Sequence, residues 1–376
     1  MRQAPELAAA PDLTARPAGP DPATARSSGP DTRRSQPHLW LRLALSLVIT
    51  AAIVLLVARE WGAVPDDLRV PAWAVPTYLA SLVFYFFARA GRFWFLVRPL
   101  GRVGFRDLLL VAFAGFLWIL LLPWRLGEFV RPQLLAQVSR PDPAAPPTIG
   151  FPQALGAVAV ERVVDGLVVC AMFFATTSAT RDAPGLFALH AACIGAATLF
   201  GGALAVLLAL AVWPRAAGAV LSASLGRLAP RLAARLAELA RGISGGLAAL
   251  PSPRWLVLFV LATLAYWAAN ALGMYLLARG CGLDLAPAQA VAVLAVLNLT
   301  LLVPGPPAHV GTFQLGVLTG LALYLPAAVV ADAGVVYAFY LYVCQVGMIA
   351  VLGTIASLRL RWGFRATLAA LRTGSP

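Results

Sequence analysis

An all-α polytopic membrane protein is predicted by three features of this 376-residue chain. Hydrophobic residues make up 60% of it and charged residues only 12%. Its mean hydropathy is +0.81, well above the range of soluble domains. Its charge-free runs, Val70 to Ala88, Ala183 to Pro214, Trp255 to Ala278, Leu285 to Ala331 and Ala333 to Leu358, approach or exceed the roughly 20 residues a helix needs to cross a bilayer. Two apolar segments are broken at mid-length by Pro and Gly, and this predicts an inverted-repeat helical bundle with two re-entrant broken-helix hairpins.

Residues 1–38 are rich in Pro, Ala, Asp, Arg and Ser without apolar periodicity. They bury too little to offset the entropy of ordering and are expected to form a disordered cytoplasmic tail. The membrane domain is expected over 39–358. Its first run, Leu43 to Ala58, has no cleavage site after it and lies too far from the amino terminus for a secretory signal, so it reads as a retained helix.

The net charge of +13 comes from arginine alone, because the chain has no lysine. With the amino-terminal tail inside, Arg89, Arg92, Arg98, Arg102 and Arg106 fall in the next inside loop. Arg140 and the group from Arg215 to Arg254 follow, and Arg359, Arg361, Arg365 and Arg372 lie in a basic cytoplasmic tail, 359–376. Arg59, Arg69, Arg181 and Arg279 fall outside, and the remaining three arginines lie within apolar sequence. This asymmetry is the positive-inside signature, with both termini cytoplasmic. No basic stripe with interleaved aromatics sits on a soluble domain, which argues against nucleic acid as a partner.

Segment 107–140 begins and ends among inside arginines, and Pro123 and Gly127 interrupt it. The run after the break, Phe129 to Ser139, is about half a span. A re-entrant hairpin from the cytoplasmic side is expected. Segment 285–331 has both ends outside, flanked by Asp284 and Asp332, and is broken by Pro304, Gly305, Pro306, Pro307 and Gly311. It is expected to form a second hairpin from the opposite face. Backbone left unpaired at membrane depth must be buried in protein or line a wet cavity, so both tips are expected to meet inside. The two halves, roughly 70–180 and 254–358, are related by topology alone.

Two polar islands interrupt the apolar sequence: Arg125, Glu128 and Arg131, then Glu161, Arg162 and Asp165. An ionisable group at mid-bilayer costs at least about 2.5 to 3.5 kcal/mol unless it is paired or wet, so these residues mark a polar site. Glu161 and Asp165 are four apart on one helix and Arg162 is three from Asp165, which puts them in one sector. Counting from Pro152 places Glu161 some 12 Å into its helix, where a hairpin tip could meet it. The six charges sum to zero, and Arg92 would leave the site slightly positive. Guanidinium forks match phosphate oxygens, so an anionic lipid headgroup fits the balance. The competing reading is an ion-pair clamp that holds the hairpin to the helix and touches no ligand.

With GRFWFLVRPLG (Gly91 to Gly101), LLPWRLGEFVRPQLL (Leu121 to Leu135), ERVVD (Glu161 to Asp165) and VPGPPAHVGTFQLG (Val303 to Gly316), the chain resembles the membrane domain of bacterial lysylphosphatidylglycerol synthases. That flippase-like domain also occurs alone. The resemblance covers nearly all of 40–360 and implies lipid translocation between leaflets of a bacterial inner membrane. It places the polar motifs on Arg125, Gly127, Glu128, Arg131, Glu161, Arg162 and Asp165. In the second hairpin the candidate residues are Pro304, Gly305, His309, Gly311 and Gln314. There the family's Pro-Gly-Gly-type turn and following glutamate are replaced by Pro306, Pro307, Ala308, His309 and then Gln314. The chain stops at Pro376 with no soluble domain following, so aminoacyl transfer is not expected, and neither enzymatic activity nor a cofactor is implied. Membrane lipids are the expected partners; a homo-oligomer and a separate lipid-modifying enzyme are also compatible.

Two other function classes use the same features. A secondary transporter of a small soluble anion would share the inverted-repeat logic. A glycosyltransferase using a polyprenyl-phosphate sugar would need Asp66 or Asp67 as its acid, in a loop from Arg59 to Arg69 that is short for a donor and an acceptor. Residues 215–250 carry an Arg face and a Leu face and are expected either to lie on the anionic leaflet or to form a solvated positive-inside loop. Cys170, Cys193, Cys281 and Cys344 fall in apolar runs without metal-ligand spacing and read as buried structural thiols.

Overall fold

The computed structural model describes residues 70–139, 148–178, 185–213, 240, 242–244, 253–303 and 306–361, with only the backbone described at positions 123–125 and 253. The amino-terminal tail, the Leu43 to Ala58 run, the Asp66–Asp67 loop, most of the 215–250 connection and nearly all of the 359–376 tail lie outside the described residues. Those that are described form helices and turns, with no strand among them.

The long helices are α1 (Ala74–Val97), α4 (Phe151–Thr177), α5 (Leu186–Val212), α6 (Pro253–Gly280) and α9 (Ala327–Arg359). Four of them, α1, α5, α6 and α9, are long and apolar enough to cross a membrane. The fifth, α4, is 27 residues long but carries Glu161, Arg162 and Asp165. The chain is therefore a helical multi-pass membrane protein, as its composition predicts. All four cysteines are buried free thiols.

One boundary is corrected at α1. The hydropathy reading ends that span at Ala88 and puts Arg89 and Arg92 in a loop, whereas the helix continues through both residues to Val97. Their charges are accommodated on protein-facing positions, so they do not end the helix. At the other end of the domain, α9 starts at Ala327, directly after Pro326, and absorbs Asp332 in a π-helical turn, Val330–Gly334.

Each Pro/Gly-interrupted segment folds as a pair of short helices around a break. In the first, α2 (Phe105–Leu121) gives way to a 3-10 turn, Pro123–Phe129, and then to α3 (Val130–Val138). Leu122 is extended, with ψ 132°, as the residue before a proline prefers. The two limbs run antiparallel: Gly127 lies against Trp118 and Ile119, and Gly115 against the stem of Arg131. In the second, α7 (Pro287–Thr300) is followed by a 3-10 turn, Pro307–His309, and by α8 (Thr312–Leu321). Gly316 meets Leu297 and Thr300, and Gly320 meets Val293, so two small residues four apart let the backbones approach closely.

Three helix starts use one device. The N–H groups of Gly150, Ala286 and Gly311 each donate to the side-chain Oε1 of the glutamine three residues on, Gln153, Gln289 and Gln314, at 2.8, 2.8 and 2.9 Å. This is the backbone-directed half of a capping box. The second tip is further held by Tyr342, whose hydroxyl donates to the Ala308 carbonyl at 3.1 Å. Ala308 and His309 both sit at positive φ, 58° and 55°, a conformation that costs a non-glycine residue roughly 1–2 kcal/mol.

Packing between the halves follows a regular pattern. Helices α1 and α6 lie side by side and antiparallel, with Ala74 against Gly280 and Ser81 against Gly273. The first limb of each hairpin packs on a long helix of the other half: α2 on α9, and α7 on α4. Helix α5 packs mainly on α4 and keeps most of its apolar surface exposed, including Phe187, Leu199 and Val206. In this chain such a surface faces lipid.

The tight return at Gly127 yields a stability prediction. A Cβ at that position would fall 2.2 Å from the Ile119 nitrogen and from the Trp118 carbonyl carbon, backbone atoms that cannot swing aside. Gly127→Ala should destabilise the protein by about 1–3 kcal/mol in denaturant titration of the micellar protein. Gly195→Ala, where a Cβ meets nothing within 4 Å, should leave stability unchanged.

Candidate functional site

Glu161 is ten residues into α4, about 15 Å along its axis, and its side chain is fully buried. A buried carboxylate must be neutralised by charge and hydrogen bonds or it destabilises the fold. Three arginines supply this. Arg92 on α1 donates from Nη2 to Glu161 Oε1 at 3.2 Å and to Asp165 Oδ2 at 2.6 Å, and from Nη1 to Thr263 Oγ1 at 2.8 Å. Arg131, at the start of α3, brings Nη1 within 2.8 Å of Glu161 Oε2. Arg162 donates from Nη2 to Glu161 Oε1 at 2.8 Å and lies 3.9 Å from Asp165 and 3.8 Å from Glu128.

Aromatic rings complete the enclosure. The Arg131 guanidinium lies 3.9 Å from the centroid of Phe93, and this contact matters because its close approach to Glu161 lacks hydrogen-bond alignment. Arg92 sits 4.5 Å over Tyr266 and 5.1 Å over Phe259. Tyr266 is shared: its hydroxyl also donates to Asp165 Oδ1. One wall of α6 thus carries both the ring that faces Arg92 and the donor that orients Asp165. Thr263 donates its own proton to the Phe259 carbonyl at 2.7 Å, which leaves its oxygen as acceptor for Arg92.

The cluster divides by exposure. Arg92, Arg131 and Glu161 are at most 1% exposed, whereas the side chains of Glu128, Arg162 and Asp165 are 19%, 21% and 11% exposed. Those three line a cavity of about 500 Å³. Both hairpin tips contribute to its wall, the first through Glu128 and Phe129, the second through Leu301, Leu302, Ala308 and His309. The remaining lining is largely apolar, including Phe116, Ile119, Val169, Phe200, Phe313 and Ile349.

Six of the residues singled out from sequence come together here: Arg92, Glu128, Arg131, Glu161, Arg162 and Asp165. His309 joins them in the cavity wall. Gly127 is buried against α2 and positions the tip. Gly311 and Gln314 are outside the lining; they form the cap of α8. The Arg125 side chain, Pro304 and Gly305 lie outside the described residues. Sequence reading missed Tyr85, Arg89, Thr263, Tyr266 and Trp267. A usable signal was present: Tyr85, Arg89 and Arg92 fall at i, i+4 and i+7, one stripe of a helix, and Thr263 and Tyr266 are three apart on α6.

The buried part of the cluster is testable by charge removal. Glu161→Gln leaves Arg131 buried without its carboxylate, and loss of one partner of a buried pair costs about 3–5 kcal/mol. Denaturant titration should show that loss, and adding Arg131→Met should restore more than half of it. Full stability in the single variant would contradict the clamp.

Comparison with curated proteins and with solved structures returns no match. A family model does match, described as the lysylphosphatidylglycerol synthase TM region, over residues 39–368. The match takes in every helix described above and both polar motifs of the charge cluster. The chain belongs to the family of the lysylphosphatidylglycerol synthase TM region.

Proposed function

We propose that this protein is a lipid translocase that passes the headgroup of an anionic phospholipid or lipid phosphate through the intramembrane cavity while the acyl chains stay in the bilayer. The observation that carries the reading is the shared cavity: two broken-helix tips, a rim of Glu128, Arg162 and Asp165, and an apolar remainder. Broken helices that meet at a polar site in the middle of a bundle are the arrangement of alternating-access carriers. The reciprocal packing of α2 on α9 and α7 on α4 supports an inverted repeat with two re-entrant hairpins. A volume of about 500 Å³ is on the scale of a small-ligand pocket. It suits a headgroup, and the apolar lining suits the first methylenes of a tail.

On this reading the buried trio, Arg92, Arg131 and Glu161, ties α1, α3 and α4 together, and the rim meets the headgroup. The protein moves its lipid without covalent chemistry, in a bacterial inner membrane with both termini in the cytoplasm, and a separate enzyme can supply a modified lipid. The cavity volume also suits a small soluble anion, so the assay has to separate the two.

Proteoliposomes carrying a fluorescent anionic phospholipid should show leaflet exchange in a quencher assay. Arg162→Gln should slow the initial rate about tenfold or more, the scale of a lost charge-assisted hydrogen bond, while Gly195→Ala should match the unmodified protein. Absence of exchange in the unmodified protein, or an undiminished rate in folded Arg162→Gln, would remove the reading. Uptake of radiolabelled inorganic phosphate without lipid exchange would replace it with the soluble-anion transporter.

A further inference from the structure

The part of the cavity wall made by α1 and α6 carries hydrogen-bond donors that the α4 network leaves unused. Arg89 donates from Nη1 to the Tyr85 hydroxyl at 2.7 Å. Its guanidinium lies 4.8 Å from the centroid of Phe116 and 5.6 Å from that of Tyr85. It makes no ion pair among the described residues, and its Nε is buried without a hydrogen-bond partner. A guanidinium has five N–H donors, so most of its capacity is uncommitted. Among the described arginines of this lining it is the one that no carboxylate pairs.

Tyr85 accepts from Arg89, so its own O–H hydrogen is available, and it is 3% exposed. Its ring is fixed by edge contacts with Phe86 and Tyr266 at 4.9 and 5.4 Å. Trp267 is 5% exposed, packs against Tyr266 at 5.1 Å, and has a buried Nε1–H with no partner. All three residues line the cavity. Buried donors are normally satisfied by protein, water or a bound group.

The ligand chemistry follows from this inventory. The α1 and α6 residues of the lining bring a guanidinium, a phenolic O–H and an indole N–H and no carboxylate of their own. The lining from α4 and the first tip instead carries Glu128 and Asp165, with Arg162 already shared among three carboxylates. Asp165 is already answered by Arg92 and Tyr266 and Glu128 by Arg162, so an oxyanion entering the cavity meets in Arg89 a guanidinium that no described carboxylate pairs. We infer that Arg89, Tyr85 and Trp267 form an oxyanion subsite that binds the phosphate of the transported headgroup; this rests on the translocase reading. Arg89 is then the residue that selects phosphate-bearing ligands, and Phe116 holds its plane toward the cavity.

Calorimetric titration of the purified protein in maltoside micelles tests this with dihexanoylphosphatidic acid and dihexanoylglycerol, which differ only in the phosphate, and with glycerol 3-phosphate as the soluble source. The unmodified protein should bind the phosphatidic acid about tenfold or more tightly than the diglyceride. Arg89→Gln should reduce that ratio to about twofold or less while leaving diglyceride binding unchanged, and Trp267→Phe should reduce it about threefold. Trp267→Phe keeps the test open if Arg89→Gln fails to give monodisperse protein. No phosphate preference in the unmodified protein overturns the subsite, as does a full preference retained in a folded variant of either residue. Glycerol 3-phosphate that binds as tightly as the phosphatidic acid, with the same dependence on Arg89, keeps the subsite and rules out the lipid as its occupant.

Discussion

The fully buried carboxylate of Glu161 is the constraint around which this bundle is organised. Its two oxygens are met by guanidinium groups from α1 and α3 and by the adjacent Arg162 of α4 itself. A lone carboxylate at such depth would be strongly unfavourable, so α1 and α3 pack on α4 where Arg92 and Arg131 both reach it. Position is thereby specified by electrostatics as well as by apolar contact. The weakly directional packing of aliphatic helices in lipid would leave that position much freer, because lipid tails are as apolar as leucine.

How much of this is readable from sequence depends on whether the signal is local. The two polar islands are local, since six charges in apolar runs need no knowledge of tertiary structure to be recognised as costly. The helix breaks are local too, because Pro123 and Gly127 act on their own backbone. The short second limb that follows is Val130–Val138, close to the expected half-span. What sequence does not give is the identity of the partners. Thr263 and Tyr266 look like ordinary polar residues of an apolar helix until α6 is laid against α1. A hydropathy count puts Arg89 and Arg92 in a loop because it treats every arginine as exposed, whereas a guanidinium stacked on Phe116, or paired with Glu161 and Asp165, can remain in the helix.

The replacement at the second tip has a physical explanation within the fold. The position where the family usually has a glutamate is Gln314, and its side chain accepts the Gly311 N–H as the α8 cap. Glutamate and glutamine serve equally in that role. Losing the carboxylate therefore preserves the cap, and the same arrangement recurs at Gln153 and Gln289. The tip itself is held by Tyr342 from α9, which accommodates two successive residues at positive φ without glycine. His is among the residues that tolerate this conformation best, so His309 has a conformational reason for its place in addition to its position in the cavity wall.

The division of the charge cluster into buried and exposed parts reconciles two readings that the sequence leaves in competition. An ion-pair clamp and a ligand-facing site make opposite demands: the clamp needs dryness and fixed geometry, and the site needs water and groups that can exchange partners. Arg92, Arg131 and Glu161 are dry, as the first demand requires, and Glu128, Arg162 and Asp165 are partly exposed in the cavity lining, as the proposed function requires, because successive turns of α4 and the adjoining hairpin tip run from the protein interior toward the cavity. Arg162 joins the two sets, bonded to Glu161 on one side and within 4 Å of Glu128 and Asp165 on the other. A headgroup that drew Arg162 from its rim carboxylates would leave Glu161 still paired with Arg92 and Arg131. On the proposed translocase function, the rim would then change partners while the helices that hold it stay in place.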